Sequence, residues 1–139
     1  GLYYALLYQG GMTCFDKEIE KYLPVRFDRP LKLKEIHDFC WYDGNLYLAT
    51  SQGLFESHPI RKKEGKDDFV LCTLNPEPLI KGKVANLCTD GKTNLYFSVD
   101  REKVMHYDFV TKKSALIREY NVVNRLFLRQ GFVDLQIME

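Results

Sequence analysis

Apolar and polar positions along this chain alternate in short runs, each closed by turn residues. The clearest run is Leu46-Tyr47-Leu48-Ala49-Thr50, set between Asp43-Gly44-Asn45 and Gln52-Gly53, after which Leu54-Phe55 resumes. Short apolar, aromatic and β-branched runs bounded by Gly, Asn and Asp predict buried strands joined by tight turns. Leu2 to Tyr8 reads as another buried strand, with Met12-Thr13-Cys14-Phe15 as its neighbour across Gly10-Gly11. Asp16 to Leu23 admits either a helical turn capped by Asp16 or a hairpin. The hairpin reading makes Tyr22 to Phe27 an outer strand whose Pro24 is tolerated at a sheet edge, where Arg and Lys also discourage further pairing.

Further along, Leu54 to Ile60 reads as a strand and Arg61 to Asp68 as a charged, solvated loop whose signs nearly cancel, with phosphate or acidic-partner contact through Arg61, Lys62 and Lys63 as the other reading. Phe69 to Leu74 follows as an outer strand, then Asn75-Pro76-Glu77-Pro78 as a stiff link. In the run from Asp100 to Glu119, Val104, His106 and Asp108 alternate with Met105, Tyr107 and Phe109, which favours strand over amphipathic helix. Ser114 to Ile117 closes that group.

The pattern recurs. Thr89-Asp90-Gly91-Lys92-Thr93-Asn94-Leu95-Tyr96-Phe97-Ser98 repeats a turn followed by Leu-Tyr, with Leu46 and Leu95 separated by 49 positions and Ile36 and Val84 by 48. Gln9-Gly10 stands 43 positions before Gln52-Gly53, and a weaker copy opens at Val123-Asn124-Arg125-Leu126-Phe127-Leu128. A period of about 40–50 residues built from four short strands is the signature of propeller blades. Leu46 to Phe55 resembles the aromatic-x-Gly/Ala-Thr-x-x-Gly-Leu core of propeller repeats in sensor domains of two-component regulators. Tyr107-Asp108-Phe109-Val110-Thr111-Lys112-Lys113 is similar to a Tyr-Asp-x-x-Thr-Gly-Lys hairpin of quinoprotein-like and WD-repeat-like propellers, with Lys112 in place of the Gly.

The resemblance implies an all-β fold of about three four-stranded antiparallel propeller blades: a partial blade over 1–32, blades over 33–80 and 81–120, and the inner strand or strands of a further blade over 121–139. Three blades are too few to close a ring. The expectation is therefore completion by self-association or by another propeller segment, since open apolar blade faces are rare on a soluble monomer.

Composition narrows the function classes. The 139 residues are 45% hydrophobic and 14% aromatic, enough for a buried core. Twenty basic against 19 acidic residues give a formal net charge of +1, which removes the positive field expected of a nucleic-acid binder. No apolar run approaches the roughly 18–20 residues of a membrane span, no signal peptide is visible, and Gly1 in place of Met points to processing or an expression scar. Cys14, Cys40, Cys72 and Cys88 are too widely spaced for CxxC chemistry; each lies in an apolar run and reads as a reduced, buried thiol, favouring a cytoplasmic setting.

Candidate chemistry is sparse. No Gly-rich phosphate loop, HExxH, calcium loop or Gly-x-Ser-x-Gly elbow is present, so no cofactor, metal or catalytic set is expected. His58 and His106 read as strand or surface residues. In repeat register His37-Asp38, Ala85-Asn86 and Asn124-Arg125 are equivalent pairs near the start of inner strands, which surround a propeller's central channel. His37, Asp38, Asn86, Asn124 and Arg125 are thus the channel-facing candidates, converging on a small ligand, an ion or ordered water. The expected function is a non-catalytic interaction or ligand-sensing module; the alternative is a propeller hydrolase or lyase with its site in the channel, and fold alone does not choose between them.

Overall fold

The structure is a computed structural model that describes residues 1–7, 11–31 and 35–119. These residues form three successive antiparallel meanders and no α-helix. The first comprises β1 (Leu2–Leu6), β2 (Met12–Asp16) and β3 (Lys21–Phe27); the second β4 (Ile36–Tyr42), β5 (Asn45–Thr50), β6 (Gly53–Glu64) and β7 (Asp67–Leu74). A short β8 (Ile80–Lys81) leads to the third, β9 (Val84–Thr89), β10 (Asn94–Val99), β11 (Lys103–Asp108) and β12 (Ser114–Glu119). Turn chemistry sets the register: Asp43 and Gly44 take φ of 47° and 81°, the positive pair that a two-residue hairpin loop requires, and Tyr42 faces Asn45 across it.

The first two meanders join into one sheet of order β1-β2-β3-β7-β6-β5-β4, with β8 on β6; the third meander is a separate sheet of order β12-β11-β10-β9. The seam is a short parallel pairing of β3 with β7, Val25 to Phe27 against Val70 to Cys72. The joined sheet curls until its two edges meet, and Tyr4 of β1 stacks on Trp41 of β4 with ring centroids 5.9 Å apart. The result is barrel-like, with Met12, Cys14, Leu23, Leu48, Phe55 and Cys72 among the buried residues of its interior.

The second core lies on the other side of β5. Tyr47, Ala49 and Leu54 pack there against Leu95, Phe97 and Tyr107 of the third meander. β5 is therefore covered on both faces: Leu46 and Leu48 turn into the barrel, Tyr47 and Ala49 toward the separate sheet, and Leu46, Leu48 and Ala49 are fully buried. A strand buried on both faces reads as a continuous apolar run, as Leu46 to Thr50 does.

The hairpin reading of Asp16 to Leu23 holds, but β3 is not an edge strand. It is paired on both sides, and Pro24 is accommodated because the β7 pairing begins one residue later, at Val25, so no β7 partner is denied a donor. Pro59 is placed by the same logic: it faces Cys72 of β7, while the β5 side of β6 is paired only as far as Ser57. The charged loop expected over Arg61 to Asp68 is mostly ladder. Lys63 faces Asp68 across the strands as an opposite-charge pair, Glu64 faces Asp67 at the solvated tip, and only Gly65 and Lys66 are left to turn.

The second and third meanders share a local irregularity. Five residues of β4, Ile36 to Cys40, stand opposite the four of β5 from Tyr47 to Thr50. Five residues of β9, Val84 to Cys88, likewise stand opposite the four of β10 from Tyr96 to Val99. Each opening strand thus carries one extra residue at the same place, a β-bulge that re-aims the side chains within it. The turns correspond as well: the Ser51 N–H bonds the Glu35 carbonyl at 2.9 Å, and the Asp100 N–H bonds the Lys83 carbonyl at 2.8 Å.

Candidate functional site

The two bulges hold the described channel candidates. His37 and Asp38 lie in the β4 bulge and Asn86, in left-handed backbone with φ of 57°, lies in the β9 bulge. Asn is among the few non-glycine residues that tolerate that conformation. The bulges bring these residues to one seam, where β4 of the barrel-like sheet runs beside β9 of the separate sheet. Asn124 and Arg125 lie outside the described residues.

At the seam the polar atoms are committed to internal bonds. His37 Nδ1 donates to the Val84 carbonyl at 3.0 Å, and in that tautomer Nε2 accepts the Ser51 hydroxyl at 3.1 Å. The Asp38 carboxylate accepts the Leu87 N–H at 2.9 Å on one oxygen and the Phe39 N–H at 2.9 Å on the other. Burial raises its pKa against the opposing pull of those two donors. Asn86 Nδ2 reaches the Ser98 hydroxyl at 3.4 Å, and that hydroxyl donates to the Ala85 carbonyl at 3.1 Å. What this arrangement does chemically is satisfy the bulge backbone and lock β4 to β9.

Other titratable groups are similarly engaged. Arg61 clamps Asp68 through Nε at 3.0 Å and Nη2 at 2.7 Å, while its Nη1 reaches Asp16 on β2. It is an internal cross-link between meanders, so Arg61 itself is not a cation presented to phosphate. His106 Nε2 donates to Asn94 Oδ1 at 2.6 Å, and Asn94 Nδ2 to Asp90 Oδ2 at 2.6 Å; His58 Nδ1 donates to Asn45 Oδ1 at 2.9 Å. All four cysteines are free thiols, and burial pushes Cys40 up to about 12 and Cys72 up to about 11. Among the described residues no three His, Cys, Asp or Glu side chains gather as a metal site, and no helix is long and apolar enough to cross a membrane.

What the molecule does present is sheet surface. On the first meander, Tyr4, Leu6, Met12, Cys14 and Leu23 turn inward, so Tyr3, Phe15 and Tyr22 project from the opposite face. Tyr3 is 58% and Tyr22 73% exposed, and Phe15 and Tyr22 pack as a tilted ring pair at 5.0 Å. At the far end of the stack, the side of the third meander turned away from the second core carries Ala85, Cys88, Tyr96, Ser98, Val104 and His106, joined as facing pairs in the ladder. Neither core cluster includes a residue of that side, yet Ser98 and Val104 on it are buried, at 3% and 8% exposure, so it is not open surface. Sequence patterning marks these residues as strand positions, but which face lies uncovered depends on how the meanders stack.

Comparison with known proteins leaves the reading to these surfaces: no protein-family model, no curated protein and no solved structure matches the chain.

Proposed function

We propose that this chain is a non-catalytic interaction module of propeller type, in which blade-like sheets pack face to face and the exposed aromatic face of the first meander is the working surface. The observation that carries the reading is the aromatic end face, Tyr3 with the Phe15–Tyr22 pair, large apolar rings left in solvent beside a full core. Three features support the propeller-type stacking. The middle meander is buried on both sides. The opening strands of neighbouring meanders lie side by side, β1 touching β4 through Tyr4 and Trp41, and β4 touching β9 through His37 and Asp38. The same bulge stands in β4 and β9.

The competing reading, a propeller hydrolase or lyase, needs a nucleophile with its base or a pair of carboxylates free to face a substrate. His37, Asp38 and Asn86 instead hold backbone and neighbouring hydroxyls, which favours the interaction module.

The test is the double substitution Tyr3→Ser with Tyr22→Ser. An interaction face tolerates it with a stability change within about 0.5 kcal/mol, while binding of an apolar dye to dilute native protein falls. A loss of about 2 kcal/mol or more would mean that the rings belong to the core, and the reading would fail.

A further inference from the structure

Among the described residues, two buried apolar side chains belong to neither core, Phe69 and Val104. Phe69 has its cover: the Arg26 guanidinium lies over its ring, 4.2 Å from the centroid. Val104 stands on the outer side of the third meander, where neither core reaches, and is nonetheless buried, as is Ser98 directly across the ladder from it. Ladder partners stand beside a side chain and shield its flanks. The top of an outward-facing side chain is withdrawn from water only by something lying across the sheet. Arg118, the partner of Val104 on β12, is itself exposed.

The chain supplies a cover with the right starting point, length and pattern. β12 is an edge strand of this sheet, and its last residue, Glu119, faces Lys103, the neighbour of Val104. Residues 120–139 follow from that point. Crossing four strands takes about 15 Å, a span that about five extended residues cover. In the sequence Leu126-Phe127-Leu128 is an apolar run, and beyond Gln130-Gly131 the residues Val133, Leu135 and Ile137 alternate with Asp134 and Gln136. Alternation with a period of two marks a segment with one apolar and one polar side, which needs an apolar surface beneath it and water above. The outer side of the third meander is such a surface. Ala85, Cys88, Tyr96 and Val104 lie on it, and the Ser98 hydroxyl is turned onto the Ala85 carbonyl at 3.1 Å.

We infer that the outer side of the third meander is the docking surface for the chain's own C-terminal segment, with Val133, Leu135 and Ile137 seated over Val104, Ser98 and Tyr96. The segment closes that end of the molecule within one chain and leaves the aromatic face of the first meander as the open one. This seating requires only burial, reach and alternation, and does not depend on the propeller-type reading.

The experiment uses the full chain. A photoreactive benzoylphenylalanine replaces Tyr96, the protein is irradiated, and cross-linked peptides are identified by mass spectrometry. The expected product is a cross-link within one chain, near 16.3 kDa, to a peptide from residues 121–139. A cross-link between two chains, a cross-link to other parts of the molecule alone, or no cross-link at all would overturn the inference. Cys88, which faces Tyr96 across the ladder, is the second reporter. Its labelling by an aromatic disulfide reagent is followed in wild type, Leu135→Asp and Gln136→Asp. A charge at 135 is expected to lift the segment and speed Cys88 labelling by about tenfold or more while Cys14 and Cys72 stay protected, whereas Gln136→Asp, on the polar side of the alternation, keeps the wild-type rate. Equal rates in the two variants would overturn the inference, as would a wild-type Cys88 that labels as fast as in unfolded chain. Loss of protection at Cys14, Cys72 and Cys88 together in Leu135→Asp would place Leu135 in the main cores and not in a separable cover, and the inference would fall on that result too.

Discussion

The carboxylate of Asp38 on β4 accepts the backbone N–H of Leu87 on β9 at 2.9 Å, tying the bulge of one meander to the bulge of the next. Its other oxygen holds the Phe39 N–H at 2.9 Å, so a single side chain bonds one backbone donor on each of the two opening strands. Asp38→Ala is expected to cost about 2–4 kcal/mol by orphaning both donors, and Asp38→Asn less than half of that, since the amide oxygen keeps one bond and the buried charge is removed. Denaturant melts of the two variants check the order.

The pH dependence of Asp38 has a definite sign. Burial raises its folded pKa above the usual carboxylate value, so the protonated form favours the folded state. Its stabilising contribution is complete below the ordinary carboxylate range and falls as pH rises through the raised folded value. The stability difference between wild type and Asp38→Asn is therefore expected to shrink between pH 3 and pH 7. A difference that grows over that interval would contradict the assignment.

Asp16 and Asp68 behave oppositely. Burial pushes Asp16 up, but the Glu18 N–H and the Arg61 guanidinium outweigh it, and the Arg61 hydrogen bonds hold Asp68 down. Both carboxyls have lowered folded values, so their contribution is complete above the ordinary carboxylate range and is lost as pH falls through those lowered values. Replacing Arg61 with Met is expected to lower stability at pH 7 and to flatten the acid limb of the stability profile, read by urea melts from pH 2 to pH 7.

Gly53 is expected to be intolerant of any side chain. Its φ is 143°, and a Cβ there would stand 2.3 Å from the Ile80 carbonyl oxygen and 2.7 Å from Pro78 Cβ, where the link to the third meander crosses β6. Gly53→Ala should therefore cost on the order of 3 kcal/mol or more. Gly44, with φ of 81° but open space around its missing Cβ, should lose only the backbone strain, about 1 kcal/mol. Thermal melts of the two variants separate clash from strain.

The thiols supply a probe of opening. With Cys40 near 12 and Cys72 near 11, the thiolate fraction at pH 8 is about 10⁻³ or less, so an aromatic disulfide reagent should label these two only as the fold opens. Rapid labelling of Cys40 or Cys72 in native buffer would show that the cores are not closed as described.

Much of the architecture is legible along the chain because it is local. Leu46 to Thr50 announces a buried strand, Asp43-Gly44 fixes a hairpin register, and the alternation around Tyr107 separates strand from helix. The charged run from Arg61 to Asp68 misleads, because its residues look solvated one at a time and become a ladder only when Lys63 meets Asp68 across the strand pair. Of the channel candidates, His37, Asp38 and Asn86 are grouped by repeat register, and the two bulges that carry them recur at the same spacing. Their engagement with Val84, Leu87 and Ser98 is not visible in the chain, because it depends on two sheets meeting.

Strands, their turns and the alternation of faces along each strand follow from the chain alone, since they rest on backbone preferences and a period of two. Tertiary structure was needed to decide that β3 joins β7 in parallel, that Tyr4 stacks on Trp41 where the sheet curls, and that Arg61 reaches Asp16, 45 positions away. Those contacts join residues far apart in the chain, where no local preference acts. They form because burying the faces of three meanders together removes more apolar surface from water than any meander can alone. The same packing decides that Tyr3 and Tyr22 remain exposed.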